Sequence, residues 1–148
     1  EISDRQVFLG HARLSIIDLS AAGTQPMFTA DRQIALVFNG EIYNHQSLSS
    51  DLRALGVAFR GHSDTEVLLS GFERWGLVPT LERAIGMFAI AVWDRQDRQL
   101  HLARDRMGQK PLYLAVAPGI STSKIGAIAF ASELSALRTP MGSKLASI

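Results

Sequence analysis

An α+β fold, with helices packed on antiparallel sheet, is what this 148-residue sequence predicts, and three patterns lead to it. Two amphipathic helical repeats sit together near the middle of the chain. Strand-like runs lie on both sides of them. The later runs follow one another too closely for crossover helices, which argues against a doubly wound parallel sheet. A hydrophobic content of 47% in a chain of this length supports one globular domain with a real core.

The elements are read in order. Val7 to Leu9, Ala12 to Ile17 and Ile34 to Phe38 are short β-branched or apolar runs. Between the last two, Asp18, Ser20, Gly23 and Pro26 mark a loop. Asn44 is a candidate N-cap for a helix in which Leu48, Leu52 and Leu55 recur at i, i+4 and i+7 before Gly56. Ser63-Asp64-Thr65-Glu66 has the form of a capping box and leads into Val67, Leu68, Leu69, Phe72 and Trp75 before Gly76. Pro79 is placed to open a third helical turn through Leu81 and Ala84, ended by Gly86.

Met87 to Trp93 is apolar throughout and reads as a strand buried on both faces. Asp94 to Arg98 is a polar turn, and Gln99 to Ala103 alternates, with Leu100 and Leu102 on one face. Pro111 to Val116 and Ala127 to Ala131 are two further strands. A continuous apolar strand between helices on one side and more strands on the other describes a layered sandwich. The polar, small-residue tail over 138–148 is expected to be disordered or an expression remnant.

Composition excludes several classes of function. Fifteen basic against fourteen acidic residues, without a run of like charge, give no electrostatic case for nucleic acid or an anionic membrane. With no cysteine, a disulfide framework, a thiolate metal site and a cysteine nucleophile among these residues are excluded. His11, His45, His62 and His101 are scattered without metal-ligand spacing, so no metal site is expected. No stretch approaches a membrane span and the start has no signal-peptide pattern, which points to a soluble cytoplasmic protein.

Leu36 to Asn44, LVFNGEIYN, concentrates the chemistry. An apolar run ends in an amide that can donate to an oxyanion (Asn39), a residue whose N–H can approach a ligand closely (Gly40) and an acid (Glu41). The competing reading of Asn39-Gly40 is a hairpin turn, which the helical pattern after it disfavours. Arg13, inside a strand-like run, fits either bidentate capture of a carboxylate or a salt bridge to an acid such as Asp18. Asp64 fits either a helix N-terminus or the binding of an ammonium group. The alternating charges of Arg104-Asp105-Arg106 read as a solvated or salt-bridged turn.

Six segments together resemble one family: GHARLSIIDLSAAGTQPM at 10–27, VFNGEIYN at 37–44, SDTEV at 63–67, GMFAIAVWD at 86–94, ARDRMGQKPLY at 103–113 and FASE at 130–133. In this order they look like the glutaminase domain of glutamine-hydrolysing asparagine synthetases, which are class II glutamine amidotransferases. The resemblance implies a four-layer αββα sandwich of the N-terminal nucleophile hydrolase type, with a partial amidotransferase domain over 1–137. It implies that Arg13 binds the glutamine α-carboxylate beside the backbone of Leu14, Ser15, Ile16 and Ile17, that Asn39 and Gly40 form the oxyanion hole, and that Glu41 and Asp64 hold the α-amino end.

In that family an N-terminal cysteine attacks the glutamine amide, with its own α-amine as base. Ammonia then passes to a C-terminal synthetase domain that uses ATP and Mg, and a homodimer is one allowed assembly. The leading segment with the nucleophile, the strand after it and the Ser-Gly-Gly loop of the synthetase domain have no counterpart in these residues, so the expectation is a fragment that is inactive by itself. The competing expectation is a noncatalytic amino-acid-binding or regulatory module of the same fold.

Overall fold

The computed structural model describes residues 2–4, 7–12, 24–118, 125–138 and 145–147. Arg13, Leu14, Ser15, Ile16 and Ile17 lie outside them, as does most of the expected 12–17 strand. In chain order the elements are strands β1 (Ile2–Asp4), β2 (Val7–Leu9), β3 (Met27–Phe28) and β4 (Ile34–Ile42), helices α1 (His45–Ala54), α2 (Asp64–Trp75) and α3 (Leu77–Arg83), and strands β5 (Gly86–Asp94), β6 (Gln99–Arg104), β7 (Tyr113–Pro118) and β8 (Ile125–Ala131). A short 3-10 helix, Leu134–Leu137, and strand β9 (Leu145–Ser147) complete the chain. β9 lies within the segment that sequence reads as a tail, and pairs with β7.

All pairings among the described residues are antiparallel: β1 with β2, a four-stranded sheet β3-β4-β5-β6, and a three-stranded sheet β8-β7-β9. The period of two along β4 and β5 sends alternate side chains to opposite faces. Leu36, Phe38, Ile42, Phe88, Ile90 and Val92 face α1 and α2, where they meet Leu48, Leu52, Leu68 and Phe72 in the main core. Ala35, Ala91 and Trp93 face the other way, against Leu9 of β2 and Phe130 of β8. The described residues therefore stack helices, a central sheet and further strands; a second helical layer is not among them. No helix among the described residues is long and apolar enough to cross a membrane.

Local sequence accounts for most element boundaries. Ser63 Oγ accepts the Glu66 N–H at 3.2 Å, the first half of the expected capping box. The second half is different: Glu66 reaches back to the N–H groups of Arg60 and Gly61 at 2.7 and 2.9 Å, fixing the loop before α2. Asn44 is the N-cap residue of α1, but its side chain makes no capping hydrogen bond. Its amide instead donates to the Arg83 carbonyl and accepts the Ile85 N–H, tying α1 to the chain entering β5. α3 begins at Leu77, two residues before Pro79, because a proline is tolerated throughout a first turn whose N–H groups have no helical partner.

The larger departure concerns β4. The run expected to end at Phe38 continues in register to Ile42, which pairs with Gly86. Two glycines make this continuation possible. A Cβ on Gly40 would fall on the Met87 carbonyl oxygen and 2.7 Å from Phe88 Cα, and one on Gly86 would fall on the Glu41 carbonyl oxygen and 2.9 Å from Ile42 Cα. The strands close to a distance that only hydrogen side chains allow.

Gly86→Ala should therefore cost about 3 kcal/mol, at the upper end of overpacking effects. Gly56→Ala, at φ 86° but with open space around the new methyl group, should cost about 1–2 kcal/mol from backbone strain alone. Urea unfolding of both variants checks the order; equal losses would contradict the close-approach account.

Candidate active site at the end of β4

The end of β4 presents three consecutive residues in three directions. Asn39 lies on the face opposite the helices, as Ala35 and Val37 do, and its Nδ2 donates to Ser132 Oγ at 2.9 Å. That bond holds the amide against the residue after β8, and an amide nitrogen carries a second N–H. Glu41 is exposed. Gly40 contributes only backbone, and its direction is set by its neighbours.

Successive residues of a strand send their N–H and C=O groups to opposite edges. Phe38 donates its N–H to Gln25 Oε1 at 2.6 Å and accepts Gln25 Nε2 on its carbonyl at 3.0 Å, so its backbone faces away from β5. Ile42 donates its N–H to Asp64 Oδ2 at 3.0 Å. Gly40, midway between them, shares their edge. The opposing strand agrees: Phe88, the partner of Gly40, sends its N–H to Asp105 Oδ2 at 3.2 Å and accepts the Asp105 N–H at 2.8 Å, also away from the β4–β5 seam. Gly40 and Phe88 thus form a non-hydrogen-bonded pair, the kind in which antiparallel strands approach most closely. The Gly40 N–H points out of the sheet edge between one position bound by Gln25 and another bound by Asp64.

Asp64 is the first residue of α2 and uses both oxygens on backbone, Oδ2 on Ile42 and Oδ1 on Thr65 N–H at 2.9 Å. It complements the helix N-terminus, as one sequence reading holds, and it also joins α2 to the end of β4. The structure thus brings Asn39, Gly40, Glu41 and Asp64 to one end of the central sheet. The carboxylate-binding part of the expected set, Arg13 to Ile17, lies outside the described residues.

Three contributors were missed in the sequence. Gln25 and Ser132 reach β4 from segments with no local signal of doing so. Asp105 read as part of a solvated turn, yet its side chain is buried at 5% exposure. Its carboxylate accepts N–H groups from Phe88 and Lys110 on Oδ2 and from Met107 and Gln109 on Oδ1, at 2.9 to 3.2 Å. Burial by itself raises this carboxyl, and the four N–H donors outweigh it, holding Asp105 below the ordinary value of 3.8. Arg104 closes the same loop through the Lys110 carbonyl at 2.6 Å and the Gly108 carbonyl at 2.5 Å, while Arg106 reaches back to the carbonyls of Ala84 and Glu82. No group of three or more potential ligands that could hold a metal occurs among the described residues. His45 and His62 line a separate cavity of about 240 Å³ beside α1, with His45 Nδ1 against the Ile42 carbonyl at 2.9 Å.

Comparison with known proteins places this chain in a family. Residues 1–146 match the glutamine amidotransferase domain, and the chain belongs to that family. Among its relatives, asparagine synthetase [glutamine-hydrolyzing] 1 of Bacillus subtilis is 43% identical over 110 residues, 74% of this chain and 17% of the relative. Amidase chyE of Penicillium rubens is 42% identical over 111 residues, 75% of this chain and 16% of the relative. The chain thus spans about a sixth of the length of these two proteins. The glutamine phosphoribosylpyrophosphate amidotransferase of Bacillus subtilis shares the fold, with a TM-score of 0.62 over 74% of this chain and 25% of that one at 24% identity.

The depressed Asp105 acidity fixes a sign for stability against pH. The carboxylate stabilises the fold above 3.8, and that contribution is lost as pH falls through the lowered folded value. Asp105→Asn should flatten the low-pH limb of the stability profile and destabilise the fold at pH 7. Thermal melts of both proteins from pH 7 to pH 2.5 test this, and identical profiles would remove Asp105 from its buried role.

Proposed function

We propose that this domain binds glutamine at the end of β4 and hydrolyses its side-chain amide to glutamate and ammonia, within a longer asparagine synthetase-like enzyme. The observation that carries the reading is the pair of neighbouring donors, the Asn39 amide and the edge-directed Gly40 N–H, at the mouth of a rigid strand. A tetrahedral intermediate at an amide carbon places negative charge on oxygen, and fixed donors there are worth roughly 3–4 kcal/mol each. Glu41 and Asp64 suit the substrate's ammonium group, and Arg13, beside Leu14, Ser15, Ile16 and Ile17, suits its α-carboxylate.

The chemistry is that of covalent catalysis by a nucleophile. A thiolate adds to the amide carbon, the intermediate expels ammonia with a proton from the adjacent amine, and water releases glutamate from the thioester. The 148 residues contain no cysteine, so the thiol is assigned to a part of the protein outside them, and this segment alone is proposed to be inactive. A separate synthetase domain, using ATP and Mg, would deliver the ammonia to aspartate or a related carboxylate in the cytoplasm. A complete αββα sandwich, with the domain over 1–137, is the corresponding architecture. The likeness to asparagine synthetases supports this assignment.

In the full-length protein, Asn39→Ala should lower kcat for glutamine hydrolysis about 10²- to 10³-fold, the usual effect of removing one oxyanion donor. Ammonia release measured against glutamine concentration checks it, and an unchanged kcat would sink the assignment. Arg13→Ala should abolish glutamine binding in calorimetry by stranding the substrate carboxylate. The 148-residue segment should release no ammonia from glutamine under conditions where the full-length protein does.

A further inference from the structure

We propose that Gln25 is a positioning residue for the oxyanion site, its side-chain amide acting as a strand partner of β4 at Phe38. The inference rests on the glutaminase reading above. Strand β3 covers only Ala35 and Leu36 of β4 through Met27 and Phe28. Beyond them the next backbone groups on that edge belong to Phe38, and both are taken by one side chain: N–H to Oε1 at 2.6 Å and C=O from Nε2 at 3.0 Å. A primary amide presents one acceptor and one donor side by side, as a peptide unit of a neighbouring strand does. Gln25 thus extends the ladder to Phe38.

Among the described residues no strand pairs with this edge of β4 beyond Leu36, so none takes the Gly40 N–H. Had a strand continued, its backbone would have consumed that group, the next on the edge. The Gln25 amide holds the β4 backbone at Phe38, the residue before Asn39. Asp105 fixes the other strand of the pair through Phe88, and Asp64 fixes the far end of β4 through Ile42. Gly40 has no side chain with which to resist rotation of its own peptide. Its N–H direction is set by these three anchors, of which Gln25 is nearest to Asn39 in sequence along β4.

Gln25 touches neither the substrate carboxylate nor its ammonium group in this scheme, so its loss should appear in the chemical step. In the full-length protein, Gln25→Ala should lower kcat for glutamine hydrolysis about tenfold to a hundredfold, the scale of a misplaced reacting group. KM for glutamine should change by no more than about threefold, as expected when only transition-state contacts are lost. Gln25→Glu keeps the acceptor for the Phe38 N–H but sets a carboxylate oxygen against the Phe38 carbonyl. Its kcat at pH 8 should fall comparably, and its ratio to wild type should climb as pH is lowered to 5.5, because the protonated acid restores the donor and the facing carbonyl favours that form.

An unchanged kcat in Gln25→Ala, or a KM that rises in proportion to the loss in kcat, would overturn the positioning role while leaving the glutaminase reading intact. Should Gln25→Ala fail to fold, a pH-independent ratio in Gln25→Glu decides against it equally. A wild-type protein that releases no ammonia from glutamine overturns the functional reading, and this inference with it.

Discussion

The close antiparallel contact of β4 with β5 is the constraint on which the rest of this structure depends. Nine residues pair without interruption, from Ile34 with Asp94 to Ile42 with Gly86. One face of the pair builds the core against α1 and α2, and the other meets β2 and β8. At its far end the two backbones approach so closely that glycine is needed on each strand, Gly40 and Gly86. The same closeness rigidifies the strand end where Asn39 and Gly40 sit, so stability and site geometry come from one set of contacts. On the proposed reading, donors fixed on such an element would need little reorganisation when charge develops.

Among the described residues, side chains take up the backbone groups at this end of the sheet one at a time. Gln25 serves Phe38, Asp64 serves Ile42 and Asp105 serves Phe88. Each comes from a different loop or helix start, so three segments are pinned to the central sheet by the groups that complete it. The Asp105 loop shows how strongly: a buried carboxylate is tolerated because four N–H donors replace its water. The helices, the β6–β7 connection and the approach to β3 are thereby registered against the same strand end.

Periodicity made much of the fold legible. Leu48 and Leu52 line the buried face of α1, and the Ser63 cap starts α2 as its sequence dictates, because helix faces and caps depend on residues within one or two turns. The apolar run Met87 to Trp93 became a strand with both faces covered, since an element with no polar face can only be placed between two layers. The expected end of β4 at Phe38 was wrong for an instructive reason. Asn-Gly looks like a stop locally, but Gly40 is a cross-strand requirement set by Met87 and Phe88, nearly fifty residues away. Asn44 does occupy the N-cap position of α1, but its side chain bonds Arg83 and Ile85 rather than its own helix.

Sequence by itself determined the helices, most of the longer strands and the candidate set Asn39, Gly40, Glu41 and Asp64, because residue type, spacing and family resemblance are local or linear properties. Tertiary structure alone decided which backbone groups of β4 face outward, that Gln25, Asp64 and Asp105 complete the sheet end, and that Asn39 is held by Ser132. Those facts depend on hydrogen bonds between segments 13 to 93 residues apart. Neither partner of such a bond carries a local signal of the other; only the folded register brings them together.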